Sequence, residues 1–388
     1  MTTINPSRRQ FLSTMAAAAA ASLAPPSLLA ATRAPAGRVA VGLCSQYNRH
    51  VVDVLSTMVD QLGGLDTLVR GKTVAIKLNL GGTPTLRLGY LQPGMTTWVH
   101  PQVVGALVHL LGRAGAQRIR LLESAWLTTE PLQQFMVGAG WTPGDFTSAA
   151  TRVEFENTNY LGSGKTYARF MVPNGGLLFP GFDLNQSYRD CDVFISMAKL
   201  KEHTVAGVTL SMKNLIGITP CTIYGQNVPE DEPALIPTGG RYLLHSGAHA
   251  PPKSAPQPID LNAPRDDGYR IPRATADLAA ARPIHLAIVD GIYTMVGGET
   301  PNRHSAPIHP GLLVAGTNAV STDAACMALM GFDPMADRGA PPFERADNTL
   351  RLAEQLGVGT RDLTRVEVAG TPIAKARFDF RKAWNTAV

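Results

Sequence analysis

A chain of 388 residues that is 45% hydrophobic and 17% charged can bury a large core, which excludes a disordered polymer or an integral membrane protein. Its formal charge of +5 owes much to the amino terminus: without residues 1–36, which contain Arg8, Arg9 and Arg33 and no acid, it falls to +2. That balance gives no support for a nucleic-acid partner.

Ser7-Arg8-Arg9-Gln10-Phe11-Leu12, followed by an alanine-rich run to Ala24, has the order of a twin-arginine export signal. It predicts carriage by the twin-arginine translocase, cleavage near Ala30–Ala36 and a periplasmic protein with a single α/β domain over 37–388. No other run is long and apolar enough to cross a bilayer. Cys44, Cys191, Cys221 and Cys326 include no C-x-x-C pair, so spacing supports neither an iron–sulfur cluster nor structural zinc. Cys191–Cys221 is the nearest pair for a disulfide.

In chain order, Arg38–Leu43 predicts a strand and Val51–Leu62 a helix stopped by Gly63-Gly64. Lys72–Leu78 predicts a strand, His100–Ala114 a helix with Pro101 in its first turn, and Ile119–Glu123 a strand. From Thr151 to Phe182 the pattern loosens into β-like pieces, read as a small antiparallel hairpin. Gly162-Ser-Gly-Lys-Thr166 has only the tail of a phosphate-binding loop.

Cys191–Met197 predicts a buried strand, followed by a helix from Thr204 with Val205, Val208, Met212, Leu215 and Ile216 on one stripe. That stripe leaves Lys213 and Asn214 outside the core. Residues 220–272 hold eight prolines from Pro229 to Pro264 and read as an irregular insertion. His245 and His249 lie within it, but Gly247 and the prolines argue against a helix that would pair them for zinc. A helix at Ala274–Ala281, strands at His285–Asp290 and Leu312–Gly316, helices at Val320–Met330 and Phe343–Leu356, and a strand at Val366–Val368 complete the pattern. Alternation of this kind predicts an α/β fold with a mostly parallel sheet covered by helices on both faces.

Polar residues recur at the predicted strand ends, which share one edge of a parallel sheet and face a ligand crevice. Lys77, Asn79, Lys199, Lys201 and Asn214 are therefore expected to bind a small anionic substrate, with Lys213 and His203 as catalytic residues and His203 as acid/base. Asp290 and Glu299 offer two carboxylates for a divalent cation such as Mg²⁺. The alternative is that Asp290 caps a turn while Glu299 faces water. Asp323 reads as a first-turn charge on a helix.

Lys199-Leu-Lys-Glu-His203, then Val208-Thr-Leu-Ser-Met-Lys213-Asn214-Leu-Ile-Gly217, resembles the hallmark segment of the family known as domain of unknown function 362. Lys77-Leu-Asn79, Val289-Asp290-Gly291-Ile292, Leu313-Val-Ala-Gly316 and Gly331-Phe332-Asp333-Pro334 resemble its other blocks in the same order. The resemblance spans roughly 38–370 and implies an α/β domain without assigning an activity. Some members carry [4Fe-4S] modules, whose cysteines this chain lacks. Two functions follow as expectations: an exported enzyme acting on a small anion, metal-assisted or redox-linked, or a non-catalytic periplasmic carrier of a cofactor or metal.

Overall fold

The computed structural model describes residues 34–161 and 166–387. The arginine pair of the predicted signal and Gly162–Lys165 lie outside the described residues. The strands are β1 (Arg38–Leu43), β2 (Thr73–Lys77), β3 (Arg118–Glu123), β4 (Val153–Asn157), β5 (Tyr167–Met171), β6 (Gly181–Asn185) and β7 (Val193–Lys199). They continue with β8 (Glu202–His203), β9 (Gly207–Val208), β10 (Leu286–Gly291), β11 (Thr294–Val296), β12 (Ala306–Ile308), β13 (Leu312–Gly316) and β14 (Glu367–Gly370).

Eight of these form one sheet in the order β14-β1-β13-β10-β7-β2-β3-β4. Within it β13 alone runs against the others, so the fold is α/β with a mostly parallel sheet. Side chains alternate between two cores. Val193, Ile195 and Met197 of β7 join the core covered by helices His50–Gln61 and Pro101–Arg113. Phe194 and Ala198 join the opposite core, covered by Asp267–Ala281 and Ala319–Leu329. The sheet is thus buried on both faces, which explains strands that are nearly apolar throughout.

β5 and β6 form the antiparallel hairpin, while β4 adds a parallel strand to the sheet edge. Three local expectations are corrected. Thr204 does not open a helix: Glu202–His203 pairs with Gly207–Val208, and a helix follows only at Leu210–Lys213. The His203 Nδ1 accepts the Val205 and Ala206 amides, and Gly207 sits at φ +75 with Pro342 O too close for any Cβ. The helix expected from Ala274 begins at Asp267 and runs through Pro272; the Gly268 carbonyl that Pro272 leaves unbonded accepts the Asp347 amide at 2.9 Å instead. The helix expected from Phe343 starts at Thr349, because Asn348 Oδ1 caps the amides of Leu350 and Arg351.

Residues 225–266 are mostly irregular, but Tyr242–Ser246 is a short helix that Gly247 ends at φ 61. Gly247 ends this helix before His249, so no helix pairs His245 with His249, as its glycine and the prolines predict. Among the described residues, no helix is long and apolar enough to cross a membrane. Cys191 and Cys221 are free thiols, as are Cys44 and Cys326.

Candidate functional site

Strand order reverses between β2 and β7: the chain moves outward from β2 to β3 and β4, then returns to lay β7 on the other side of β2. Such a reversal splays the connecting loops apart and opens a crevice at the strand carboxyl ends. A cavity of about 520 Å³ lies there. Its lining includes Lys77, Asn79, Lys201, His203, Lys213, Asn214 and Glu299. Lys199 and Asp290 are absent from it.

The floor is a connected polar network. Lys77 Nζ, fully buried, pairs with Glu123 Oε1 at 2.8 Å and donates to Asn214 Oδ1 at 3.0 Å and to the Leu78 carbonyl. Glu123 Oε2 accepts the Leu80 amide, and Asn79 Nδ2 donates to the same Asn214 oxygen. Asn214 Nδ2 in turn donates to Ser196 Oγ and the Met197 carbonyl of β7. Asn214 thereby staples β2 to β7 across the switch point, a buried role that the stripe reading of this segment did not foresee. Gly217 closes over the pair: a Cβ there would stand 2.6 Å from Lys77 Nζ and 2.8 Å from Glu123 Oε1, so any side chain would have to displace the pair.

The wall is basic and incompletely neutralised. Lys201 Nζ donates to the Glu299 backbone carbonyl at 3.1 Å; burial first, then Lys213 and Lys199, outweigh Glu299 and lower its pKa to about 7. Lys213 is half-buried and makes no hydrogen bond or ion pair with any described residue. Burial, with Arg241 and Lys77 nearby and only Glu299 opposing, lowers its pKa to about 8. Arg241 comes from the proline-rich segment and is fixed by bonds to the carbonyls of Thr219 and Ser124, at 2.7 and 2.8 Å. It has no carboxylate partner among the described residues.

His203 is held by hydrogen bonding in the tautomer with hydrogen on Nε2, because Nδ1 accepts two backbone amides. Burial and Lys213 depress its pKa well below the ordinary histidine value. His203 therefore enters the cavity as a neutral Nε2–H donor. Glu299 Oε2 accepts the Thr204 amide at 2.8 Å and stands 3.9 Å from His203 Nδ1. Burial works to raise its pKa, but the hydrogen bonds from Thr204 prevail and hold it low. His245 also lines the cavity, with burial, Lys213 and Arg241 lowering its pKa to about 3.

Two polar atoms on cavity-lining side chains, Asn79 Oδ1 and Thr209 Oγ1, are buried without a hydrogen-bond partner. The two residues are 7% and 5% exposed, so solvent at the surface does not satisfy them. Buried polar atoms of this kind normally have partners, and a ligand or ordered water in the cavity would supply them.

Lys199 and Asp290 are corrected as site residues. They lie level on neighbouring β7 and β10, both side chains wholly buried, with Lys199 Nζ 2.9 Å from Asp290 Oδ2. Asp290 also accepts from Tyr47 Oη and from the amides of His100 and Ile292, while Lys199 donates to Tyr47 Oη and the Gly94 carbonyl. Asp290 has no capacity left for a cation and does not share the cavity with Glu299, so the expected metal pair is not assembled. Among the described residues no group of three His, Cys, Asp or Glu side chains is arranged to hold a metal ion.

Sequence reasoning missed Arg241, Trp126 and Tyr242 in the lining, and it weighed His245 only for zinc. It also read Asp323 as a first-turn charge, whereas Asp323 lies past the first turn of Ala319–Leu329. Asp323 is buried and accepts from the Ser211 amide (2.9 Å), Ser211 Oγ (2.6 Å) and the Met212 amide (2.9 Å), fixing the turn that presents Lys213.

Comparison with known proteins sets this cavity in a family. A relative, the thylakoid-associated protein sll1697 of Synechocystis, is 26% identical over 167 residues, which cover 43% of this chain and 45% of that protein. The chain thus matches less than half of that relative's length. Among solved structures, a Thermotoga maritima protein aligns at 15% identity and a TM-score of 0.35, covering 66% of this chain and 52% of that one. The lactate racemase apoprotein of Thermoanaerobacterium thermosaccharolyticum aligns at 12% identity and a TM-score of 0.34, covering 71% and 55%. The family model described as Domain of unknown function (DUF362) matches residues 74–328, a span containing every residue that lines the cavity, and the chain belongs to that family.

Proposed function

We propose that this protein is an exported enzyme acting on a small organic anion with an apolar body, bound in the cavity between β2 and β7. One observation carries the reading: Lys213 and Arg241 face the cavity with no carboxylate paired to either among the described residues. Arg241 is only 7% exposed, and a buried cation without a counter-ion is costly; an anionic ligand supplies that counter-ion, with the half-buried Lys213 beside it. Trp126, Tyr242, Leu86 and Ile216 in the lining favour an apolar body behind the charged group. His203 Nε2–H is a further donor, and Lys201 and Lys213, with lowered pKa values, supply bases near neutral pH. The Ser7-Arg8-Arg9 motif supports export by the twin-arginine translocase and work in the periplasm; recovery of the protein only from the cytoplasmic fraction would oppose this.

Calorimetric titration with phenylacetate tests the binding reading. Affinity is expected to be highest where Lys213 is an ammonium, below pH 8, and to fall up to about tenfold per unit above it. Affinity unchanged from pH 6.5 to 9.5 contradicts the reading. Tight binding of a co-purifying acid that is never turned over would reassign the protein as a carrier.

A further inference from the structure

Resting on that reading of the cavity, we propose that Lys213 is a nucleophile that condenses with the carbonyl of a 2-oxo acid to form an imine, with Arg241 holding the acid's carboxylate. Three lysines line the cavity, and their partners separate them. Lys77 is committed to Glu123, Asn214 and the Leu78 carbonyl. Lys201 is committed to the Glu299 carbonyl. Lys213 alone of the three has no bond to break before it can attack.

Its mounting is rigid on both sides. Asp323 pins the two preceding amides, and Asn214 is tied to Ser196 and Met197. A fixed backbone with a free amine limits the conformational cost of reaching a bound carbonyl. Burial, with Arg241 and Lys77 nearby, disfavours the ammonium, which leaves part of the population as neutral amine near physiological pH. Arg241, already oriented by two carbonyls, presents its remaining guanidinium N–H groups to a carboxylate.

In the step, the Lys213 nitrogen attacks the carbonyl carbon and a C–N bond forms. The carbonyl electron pair moves to oxygen, which takes a proton from the Lys201 ammonium. Loss of that oxygen as water, with the amine hydrogens accounting for both of its protons overall, gives the imine. One amine and one carbonyl yield one imine and one water, with no change in oxidation state and no co-reactant. An imine next to the carboxylate withdraws electrons from both adjoining carbons, so the reaction class is breaking or exchanging a bond at one of them.

The full-length folded protein is incubated with phenylpyruvate and sodium cyanoborohydride at pH 7.5, and the adduct is mapped by peptide mass spectrometry. One stoichiometric reduced adduct on Lys213 is expected, slowed at least tenfold by excess phenylacetate and absent from Lys213→Arg. Adducts scattered over exposed lysines such as Lys253, Lys375 and Lys382, or no adduct at all, overturn the proposal. Should Lys213→Arg fail to fold, protection of the wild-type protein by phenylacetate separates the same outcomes without any variant. If phenylacetate binds while phenylpyruvate leaves no adduct, the imine fails and the anion cavity stands; if phenylacetate does not bind, both fail.

Discussion

Lys213→Met is expected to weaken phenylacetate binding by roughly 10- to 150-fold while leaving the protein as stable as before, or more so. The side chain makes no hydrogen bond or ion pair with a described residue, so the substitution breaks no internal bond. Met has a similar length and an unbranched, adaptable stem. The binding loss is that of one hydrogen bond to a charged group, about 1.5–3 kcal/mol. The stability effect has the opposite sign because a lysine whose pKa falls from 10.5 to about 8 on folding is destabilising as an ammonium. Below pH 8 that penalty is complete; between pH 8 and 10.5 the folded state releases the proton first, and wild-type stability rises with pH. Lys213→Met should flatten that rise. Denaturant unfolding at pH 7 and pH 10, beside calorimetry, measures both effects. A stability loss above about 2 kcal/mol, the size of an ordinary broken contact, with binding intact would mean that Lys213 is a structural residue.

Lys199→Met is expected to do the reverse: lose about 3–5 kcal/mol of stability and leave phenylacetate affinity of the folded fraction within about threefold of wild type. Removing the ammonium strands the Asp290 carboxylate with neither of them exposed to water. Tyr47, His100 and Ile292 still donate to Asp290, but none carries a positive charge that would balance it. Unfolding midpoints from chemical denaturation give the first number, and titration well below the midpoint gives the second. Near wild-type stability combined with lost binding would place Lys199 back among the ligand contacts.

The contrast between these lysines shows how far the sequence could be read. Strand identity was legible because both faces of the sheet are buried: the apolar runs at Arg38–Leu43 and Leu312–Gly316 coincide with β1 and β13. The edge that holds the cavity was legible because polar residues recur where parallel strands end. Face and register were not. Lys77 shares the parity of Ala75, in one core, whereas Lys199 shares that of Val193, Ile195 and Met197, in the other. Lys199 also lies three residues past Ser196, the partner of Lys77, and so comes level with Asp290. Periodicity supplies parity within a strand, but only pairing between strands says which parities share a cavity.

Other misses have equally local causes. The segment after β7 has helical spacing, yet His203 takes up the Val205 and Ala206 amides and Gly207 turns the chain, delaying the helix to Leu210. Arg241 gave no signal because it sits in a proline-rich stretch without periodicity; its role depends on the Thr219 and Ser124 carbonyls, one of them more than a hundred residues away in the chain.

The unpartnered cations of one cavity are held to bind an organic anion there. The most direct measurement is a crystal structure with 4-bromophenylacetate, using the anomalous signal of bromine to locate the ligand. One bromine site is expected against the apolar wall near Trp126 and Tyr242, with the carboxylate on Lys213 and Arg241. Bromine found only elsewhere on the molecule, or an unliganded cavity at saturating concentration, would contradict it.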